Sequence, residues 1–358
     1  MYLVFLLLIV MAVSLSSLTG FKRWAISLGW VDTPCARKNY SGQVPLIGGV
    51  SIFVALLTIY ALESQLMNFQ NTYFLIAGAV VSIGFIDDKY NLSAISRLTL
   101  LSAVALWLTS HKGIVLSELG DILLGQYGSI VFSVLAIVGC VTCFNMIDGI
   151  DGIDGIDGLL VCVSAIIFIS LSVLLYLSGH VGEAVFSLAF VAALVPYIVL
   201  NLSYKISSHR KVFMGDSGSF LVGLTVVWML IIATQPSVTP NIADKSIAPV
   251  TALWIIAIPL MDMVCVMMKR VMKKQSPLKA DRTHLHHLLL SYGFSARKTL
   301  LVISFMSLLC SSIGIAADVL AVGERVMFLA FVGLFVGYII ANLWLGRAMG
   351  LSLSYSKA

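Results

Sequence analysis

The sequence predicts an all-α protein that crosses a membrane many times. Three observations carry that expectation: 59% of the 358 residues are hydrophobic, only 11% are charged, and apolar runs of about 20 residues, the length a bilayer core takes as helix, recur along the whole chain. An ordinary soluble domain is roughly 45–50% apolar and about 25% charged. This chain lacks the charge to cover a water-facing surface, and its mean hydropathy of +1.02 agrees. A soluble enzyme, a disordered chain and a nucleic-acid binder are excluded on that ground.

The apolar runs lie near residues 1–20, 46–62, 72–87, 94–111, 128–147, 158–178, 184–202, 218–234, 248–268, 299–316 and 324–346, about eleven spans. The first ends in Ser16-Ser17-Leu18-Thr19-Gly20, which imitates a signal-peptide cleavage region. It has no basic segment ahead of it and Lys22-Arg23 behind it, so it reads as a retained span. Backbone groups in lipid have to be satisfied internally, and no stretch alternates with period two like a barrel strand, so each span is a helix. Pro259 is expected to kink or break the ninth. Five of the six cysteines (Cys140, Cys143, Cys162, Cys265, Cys310) lie in or beside apolar runs and Cys35 in a polar loop, a spacing that forms no disulfide framework.

With the N-terminus periplasmic and the sides alternating, 19 of the 22 basic residues fall inside, and only Lys112, Lys245 and Arg325 fall outside. That bias follows the positive-inside rule and places the C-terminus in the cytoplasm. The chain reads as one integral membrane domain, 1–358. Its cytoplasmic loops 21–45, 88–93, 148–157, 203–217 and 269–298 are expected to build an active site.

Four polar clusters fall on that inner side. Asp87-Asp88-Lys89-Tyr90-Asn91 closes the third span; adjacent carboxylates repel unless a cation or water relieves them, and Mg²⁺ prefers such hard oxygen ligands. A solvated helix stop would look the same. The second cluster runs from Phe144-Asn145-Met146-Ile147-Asp148-Gly149 through Asp151, Asp154 and Asp157, with Ile-Asp-Gly four times in tandem. It suits a cation bridging phosphates, although repeat slippage accounts for the extra copies, and the closing Glu of a calcium loop is missing.

In the third cluster, Arg210-Lys211 precede Phe213-Met214-Gly215-Asp216-Ser217-Gly218-Ser219 and an apolar helix follows. Hydroxyls and glycines at a helix N-terminus favour an anion such as phosphate. The fourth, Asp281-Arg282-Thr283-His284-Leu285-His286-His287, holds three histidines in four residues. With no cysteine nearby, phosphate binding through charge-assisted hydrogen bonds is favoured over zinc. Asp262, near the inner end of the ninth span, is costly in a membrane and is either a helix cap after the Pro259 break or a group supporting the site.

Carboxylates, a glycine-bounded Asp/Ser turn and an Arg/His loop at one interface suit a soluble diphosphate donor and a lipid carrying a phosphate, with Mg²⁺ stabilising charge on the leaving group. A lipid phosphate monoester, with a second pKa near ~6, is already nucleophilic at pH 7. Direct in-line attack is therefore favoured over a covalent aspartyl-phosphate. A transporter using Asp87, Asp88 and Asp262 as ion sites would instead place acids near mid-bilayer in matching halves, and no such halves are visible.

The ordered set Asp87-Asp88, Asn145…Asp148-Gly-Ile-Asp151-Gly, Phe213-Met-Gly-Asp216-Ser-Gly-Ser219 and His284-Leu-His286-His287 resembles the polyprenyl-phosphate N-acetylhexosamine-1-phosphate transferases. The resemblance covers nearly the whole chain, including Val31-Asp32-x-Pro34…Arg37-Lys38…Pro45…Gly48-Gly49. The stretch from Pro249 to Met263 is most similar to the bacterial branch that acts on UDP-N-acetylglucosamine.

What this resemblance implies is transfer of N-acetylglucosamine 1-phosphate from UDP-N-acetylglucosamine to undecaprenyl phosphate, releasing UMP, with Mg²⁺ or Mn²⁺, on the inner face of the bacterial inner membrane. O-antigen or a related surface polysaccharide would begin there. Another UDP-N-acetyl sugar is the alternative donor. The resemblance also implies roles: Asp87, Asp88, Asp148 and Asp151 in catalysis, Asp216 and Asn145 at the metal. Arg37, Lys38, Lys211, Ser217, Arg282, His284, His286 and His287 are expected on substrate. A homodimer is one of the assemblies the sequence allows.

Two departures stand out. Asn39 and Tyr40 follow Arg37-Lys38 where the family usually has a histidine, and the family's Asp-Gly-x-Asp-Gly is lengthened by six residues. As helix, six residues would turn about 600° and swing one end off its face; as loop, their closure entropy is small.

Overall fold

The computed structural model describes residues 1–33, 42–63, 65–67, 69–148, 158–202, 211–235, 247–278 and 283–348, with nothing stated of the side chains at 347–348. Arg37, Lys38, Asp151 and Arg282 lie outside the described residues, as do most of the repeat and Arg210. The chain divides into two compact units, Met1–Pro249 and Val250–Ala358.

The first unit is built from α1 (Tyr2–Leu28), β1 (Val31–Asp32), β2 (Val44–Pro45), α2 (Gly48–Leu62), α3 (Gln70–Tyr90), α4 (Ala94–Lys112), β3 (Glu118–Leu119), β4 (Ile122–Leu123), α5 (Gly125–Asp148), α6 (Leu159–Leu177), α7 (Val181–Leu202) and α8 (Gly215–Thr234). It is an all-α membrane fold with two small antiparallel hairpins, β1–β2 and β3–β4. The strands hold two residues each, too short for any alternation to register in the sequence.

α8 is the axis of this unit. It packs against α2, α3, α5 and α6, and every residue of it is buried except Asp216. A helix apolar all round is stable only when surrounded. By contrast α1 turns Val4, Phe5, Leu8 and Leu15 outward, as suits a helix facing lipid tails.

Helix ends follow local chemistry. Ser93 caps α4 by accepting the Ser96 N–H at 3.1 Å, which leaves only three residues between α3 and α4 and makes them antiparallel neighbours. α1 continues to Leu28 before Gly29 ends it, so Lys22 and Arg23 ride on helix rather than in the loop expected from residue 21; nothing before Gly29 breaks the helix. At the opposite end of α8, Gln235 is fully buried, and its Oε1 accepts the N–H groups of Ser117 at 2.7 Å and Glu118 at 3.1 Å, tying the β3–β4 hairpin to the bundle.

The second unit comprises α9 (Pro249–Ile255), α10 (Ala257–Met272), α11 (Leu285–Ser291), α12 (Ala296–Val319) and α13 (Glu324–Ala348). α9 and α10 meet at a 79° bend. Pro259 has no N–H for the carbonyl of Ile255 four residues back, and that carbonyl accepts instead from Ser311 Oγ at 3.3 Å. The expected break falls where proline requires it.

Among the described residues seven helices (α1, α5, α6, α7, α8, α12 and α13) are long and apolar enough to cross a membrane, and the bent pair α9–α10 makes an eighth. The chain is thus a multi-pass integral membrane protein.

Candidate active site

The site of the first unit forms around the N-terminus of α8. Backbone pairing delivers it: Phe213 N–H donates to Pro45 O at 2.9 Å, Gly48 N–H to Phe213 O at 3.0 Å and Gly49 N–H to Met214 O at 3.0 Å. The early Pro45…Gly48-Gly49 segment therefore acts as a clasp on the Phe213-Met-Gly-Asp turn. The turn reverses at Gly215, whose φ of 71° is left-handed, a conformation that favours glycine. A Cβ there would meet Asp88 Oδ2 at 2.6 Å.

Close approach of helices needs bare backbone as well. A Cβ on Gly49 would sit 2.5 Å from Ser217 C, and one on Gly84 2.6 Å from Asp216 C. These two glycines let α2 and α3 lie directly on the first turn of α8.

Asp88 then reaches over that turn. Its Oδ1 accepts the Asp216 N–H at 2.7 Å and its Oδ2 the Ser217 N–H at 3.3 Å. The first N–H groups of a helix have no internal partner, and a carboxylate is favoured at that positive end. Asp88 thus caps a helix other than its own. The turn is a filled cap, not the open phosphate cradle expected from its glycines. Ser217 and Ser219 are fully buried, and Ser217 donates its backbone N–H to Asp88.

Asp87, also buried, accepts the Leu92 N–H at 2.7 Å through Oδ1. Its Oδ2 lies 3.2 Å from Arg97 Nε, while Arg97 NH1 lies 3.7 Å from Asp216 Oδ2. The guanidinium therefore bridges two acids. Sequence reasoning counted Arg97 only as an inner-side charge. The signal was present in the Asn91-Leu92-Ser93 connection, short enough to set the first turn of α4 beside the last turn of α3.

Asn145 Nδ2 donates to Asp216 Oδ1 at 2.5 Å and to Ser219 Oγ at 3.0 Å. It orients the Asp216 carboxylate, which keeps a quarter of its side-chain surface accessible. Asp148, three residues after Asn145 on α5, is buried and falls on the same helix face. Lys211 is half-buried beside Val212, whose N–H Asn201 Oδ1 accepts at 3.3 Å.

Among the described residues no three His, Cys, Asp or Glu side chains converge to hold a metal by themselves. Mg²⁺ is ordinarily bound by one or two carboxylates together with waters and substrate phosphates. The accessible, Asn-oriented carboxylate of Asp216 fits that mode, and Asp88, with both oxygens on backbone N–H groups, is committed elsewhere.

The second unit holds its own polar cluster. Asp262 Oδ2 and His284 Nδ1 are 2.7 Å apart. Asp262 Oδ1 accepts the Leu285 N–H at 2.9 Å and the Tyr338 hydroxyl at 2.8 Å. Asp262 thus caps the start of α11 and pairs with His284. His284, His286 and His287 are all buried. The His284 and His286 rings stack at 5.7 Å, and His286 and His287 lie 4.0 Å apart. Burial, with His287 and His284 beside it, holds the His286 imidazole well below its ordinary pKa despite Asp262. Lys269 Nζ donates to Asn342 Oδ1 and, at 3.4 Å, to Thr283 O, fixing the start of the histidine segment.

Residues 71–234, which contain all of the acidic site, match the family described as glycosyl transferase family 4, and the chain belongs to that family. Over 314 residues it is 41% identical to the undecaprenyl-phosphate alpha-N-acetylglucosaminyl 1-phosphate transferase of Pasteurella multocida, covering 88% of this chain and 86% of that protein. The Haemophilus influenzae protein of the same name is 40% identical, covering 88% of each chain. That of Escherichia coli K12 is 37% identical, covering 90% of this chain and 87% of its own.

Proposed function

We propose that this enzyme transfers N-acetylglucosamine 1-phosphate from UDP-N-acetylglucosamine to undecaprenyl phosphate. A lipid phosphate oxygen attacks the sugar-linked phosphorus, the new P–O bond forms, and the bond to the UMP oxygen breaks with its electron pair leaving on UMP. The observation that carries this reading is the convergence of Arg97 and Asn145 on Asp216, the one accessible residue of a buried helix. The curated relatives carry the same activity in their names.

Asp216, held by Asn145, would bind Mg²⁺ or Mn²⁺ together with phosphate oxygens. When bound, that ion supplies charge neutralisation for the diphosphate. Arg97 adds a cation beside the same carboxylate. Asp88 and Asp87 are occupied by backbone N–H groups and by Arg97, which favours direct displacement over attack by either carboxylate. The His284–His287 segment would take the donor nucleotide.

Helices α1 to α8, the bent pair α9–α10, α12 and α13 supply eleven spans when α2, α3 and α4 also cross. The N-terminus then lies in the periplasm and the C-terminus in the cytoplasm. Asp88, Asn145 and Asp216 come from the ends of the third and fifth spans and the start of the eighth, which alternation puts on one side, the side holding the basic loops. This arrangement supports a site at the cytoplasmic face of the inner membrane, at the start of O-antigen or related polysaccharide assembly.

Purified protein incubated with radiolabelled UDP-N-acetylglucosamine and undecaprenyl phosphate is expected to yield a lipid-linked product and UMP. Product from a different UDP-N-acetyl sugar alone would replace the donor. Excising residues 149–154 tests the repeat: a large gain in UMP release would mean the insertion impairs the site.

A further inference from the structure

The mechanism leaves two buried polar groups of the second unit without a task, Asp262 on α10 and Tyr338 on α13. Both are buried, and both converge on the residue that opens the histidine segment. A carboxylate inside a membrane protein is costly unless its oxygens are satisfied. Here three donors meet it: His284 Nδ1 on Oδ2, and the Leu285 N–H and Tyr338 hydroxyl on Oδ1.

The geometry fixes chemistry as well as position. A carboxylate 2.7 Å from Nδ1 requires the proton on that nitrogen. In neutral His284 the Nε2 is then the acceptor. The Leu285 contact on the same carboxylate fixes the backbone one residue on, so ring and chain are held together. Next to it, His286 stacks on the His284 ring and buries an Nε2 that has no hydrogen-bond partner among the described residues. Leaving such a group unsatisfied costs about 1–3 kcal/mol, which a bound ligand would relieve. A segment carrying an unsatisfied polar group needs a rigid support, and Asp262 with Tyr338 is that support.

We propose that Asp262 and Tyr338 are positioning residues for the transfer reaction, setting the tautomer and ring orientation of His284 so that the His-x-His-His segment is pre-formed for the sugar-nucleotide donor. This rests on the donor reading of that segment. Tyr338, like Asp262 and His284, lies beyond residues 71–234, the stretch matched to the family, and α13 enters the reaction through Asp262.

The test has two arms. In purified full-length protein, ¹⁵N-histidine NMR, with His284→Gln assigning the signal, is expected to show Nδ1 of His284 protonated at pH 8. In Asp262→Asn the carboxamide can donate to Nδ1, and the proton is expected to move to Nε2. An unmoved proton overturns the proposal whether or not the donor assignment stands.

For kinetics, kcat/KM for UDP-N-acetylglucosamine is expected to fall about 10–100-fold in Asp262→Asn, the usual range for groups that orient a site ligand, with a several-fold fall in Tyr338→Phe. The KM for undecaprenyl phosphate is expected to stay unchanged. Asp262→Asn combined with His284→Gln should be no worse than His284→Gln alone. Multiplying losses, or equal losses toward both substrates, would show a merely structural role. If Asp262→Asn does not fold, Tyr338→Phe decides: wild-type donor kinetics in that folded variant overturn the proposal. Wild-type protein without UMP release, but with the expected proton position, would sink the donor reading alone.

Discussion

Asp88 accepts the Asp216 N–H at 2.7 Å across the junction of α3 and α8, so one member of the acidic pair builds the first turn of the helix that carries the partly accessible Asp216. The pair Asp87-Asp88 is thereby split in function. Asp88 shapes a backbone; Asp87 holds Arg97, which also faces Asp216. The site is a small lattice of carboxylates whose charges are met by N–H groups, a guanidinium and an amide.

Asp88→Ala should lower both stability and turnover. Losing a capping carboxylate costs typically ~1 kcal/mol, seen as a lower unfolding temperature in detergent. UMP release should fall further than that loss accounts for, because Asp216 is carried on the turn. Asp88→Asn, which keeps an acceptor for one N–H, should retain more stability than Asp88→Ala; equal stability of Asp88→Ala and wild type would contradict the capping role.

Arg97→Ala should leave the buried Asp87 carboxylate without its cation. Arg97 is partly exposed, and leaving the buried carboxylate short of a partner costs about 1–3 kcal/mol. Arg97→Lys keeps the charge but not the two-point reach of Nε and NH1, so thermal unfolding should rank wild type, lysine, alanine. An alanine variant as stable as wild type would remove Arg97 from the lattice.

Gly84→Ala should disable the enzyme although it adds one methyl group. The new Cβ would meet the backbone of Asp216 at 2.6 Å, and backbone cannot swing aside as a side chain can. Overpacking of this kind costs about 1–3 kcal/mol, and it moves the residue the site depends on. Gly139→Ala, with open space at its Cβ, is the control that should keep full activity.

Removing divalent metal with EDTA should stop UMP release, and Mg²⁺ or Mn²⁺ should restore it. Asp216→Asn should need far more metal for the same rate, since it loses the charged oxygen. Asp148→Asn tests a second ligand from α5. Full activity in EDTA would eliminate the metal.

Acid should destabilise the histidine segment. The imidazole of His286 is held below its unfolded value of about 6.5, so the unfolded chain binds the extra proton first. The stability from keeping His286 neutral is whole above pH ~6.5 and lost as pH falls from there toward the folded value. His286→Gln should therefore show a flatter decline of unfolding temperature below pH 6.5 than wild type; parallel declines would exclude His286 as the cause.

Composition alone determined that this chain is a helical membrane protein, because 11% charge cannot solvate a surface and lipid admits no unsatisfied backbone. The motifs Asp87-Asp88, Asn145…Asp148, Met214-Gly-Asp216 and His284-x-His-His marked the polar clusters, since charges in apolar surroundings stand out locally. Pro259 announced the bend between α9 and α10 for the same local reason: a missing N–H acts within one turn.

Only tertiary structure decided what each polar group touches. That Asp88 caps α8, that Ser217 is sealed in the core, that Arg97 faces Asp216 and that Tyr338 reaches Asp262 are pairings between residues far apart in the chain, 128 positions for Asp88 to Asp216 and 76 for Tyr338 to Asp262. Such pairings depend on which helices pack side by side, and an apolar helix face fits several neighbours equally well by hydrophobicity alone. Bare glycines at 49 and 84 select the neighbour here, through a contact distance no residue type reveals until the facing backbone is in place.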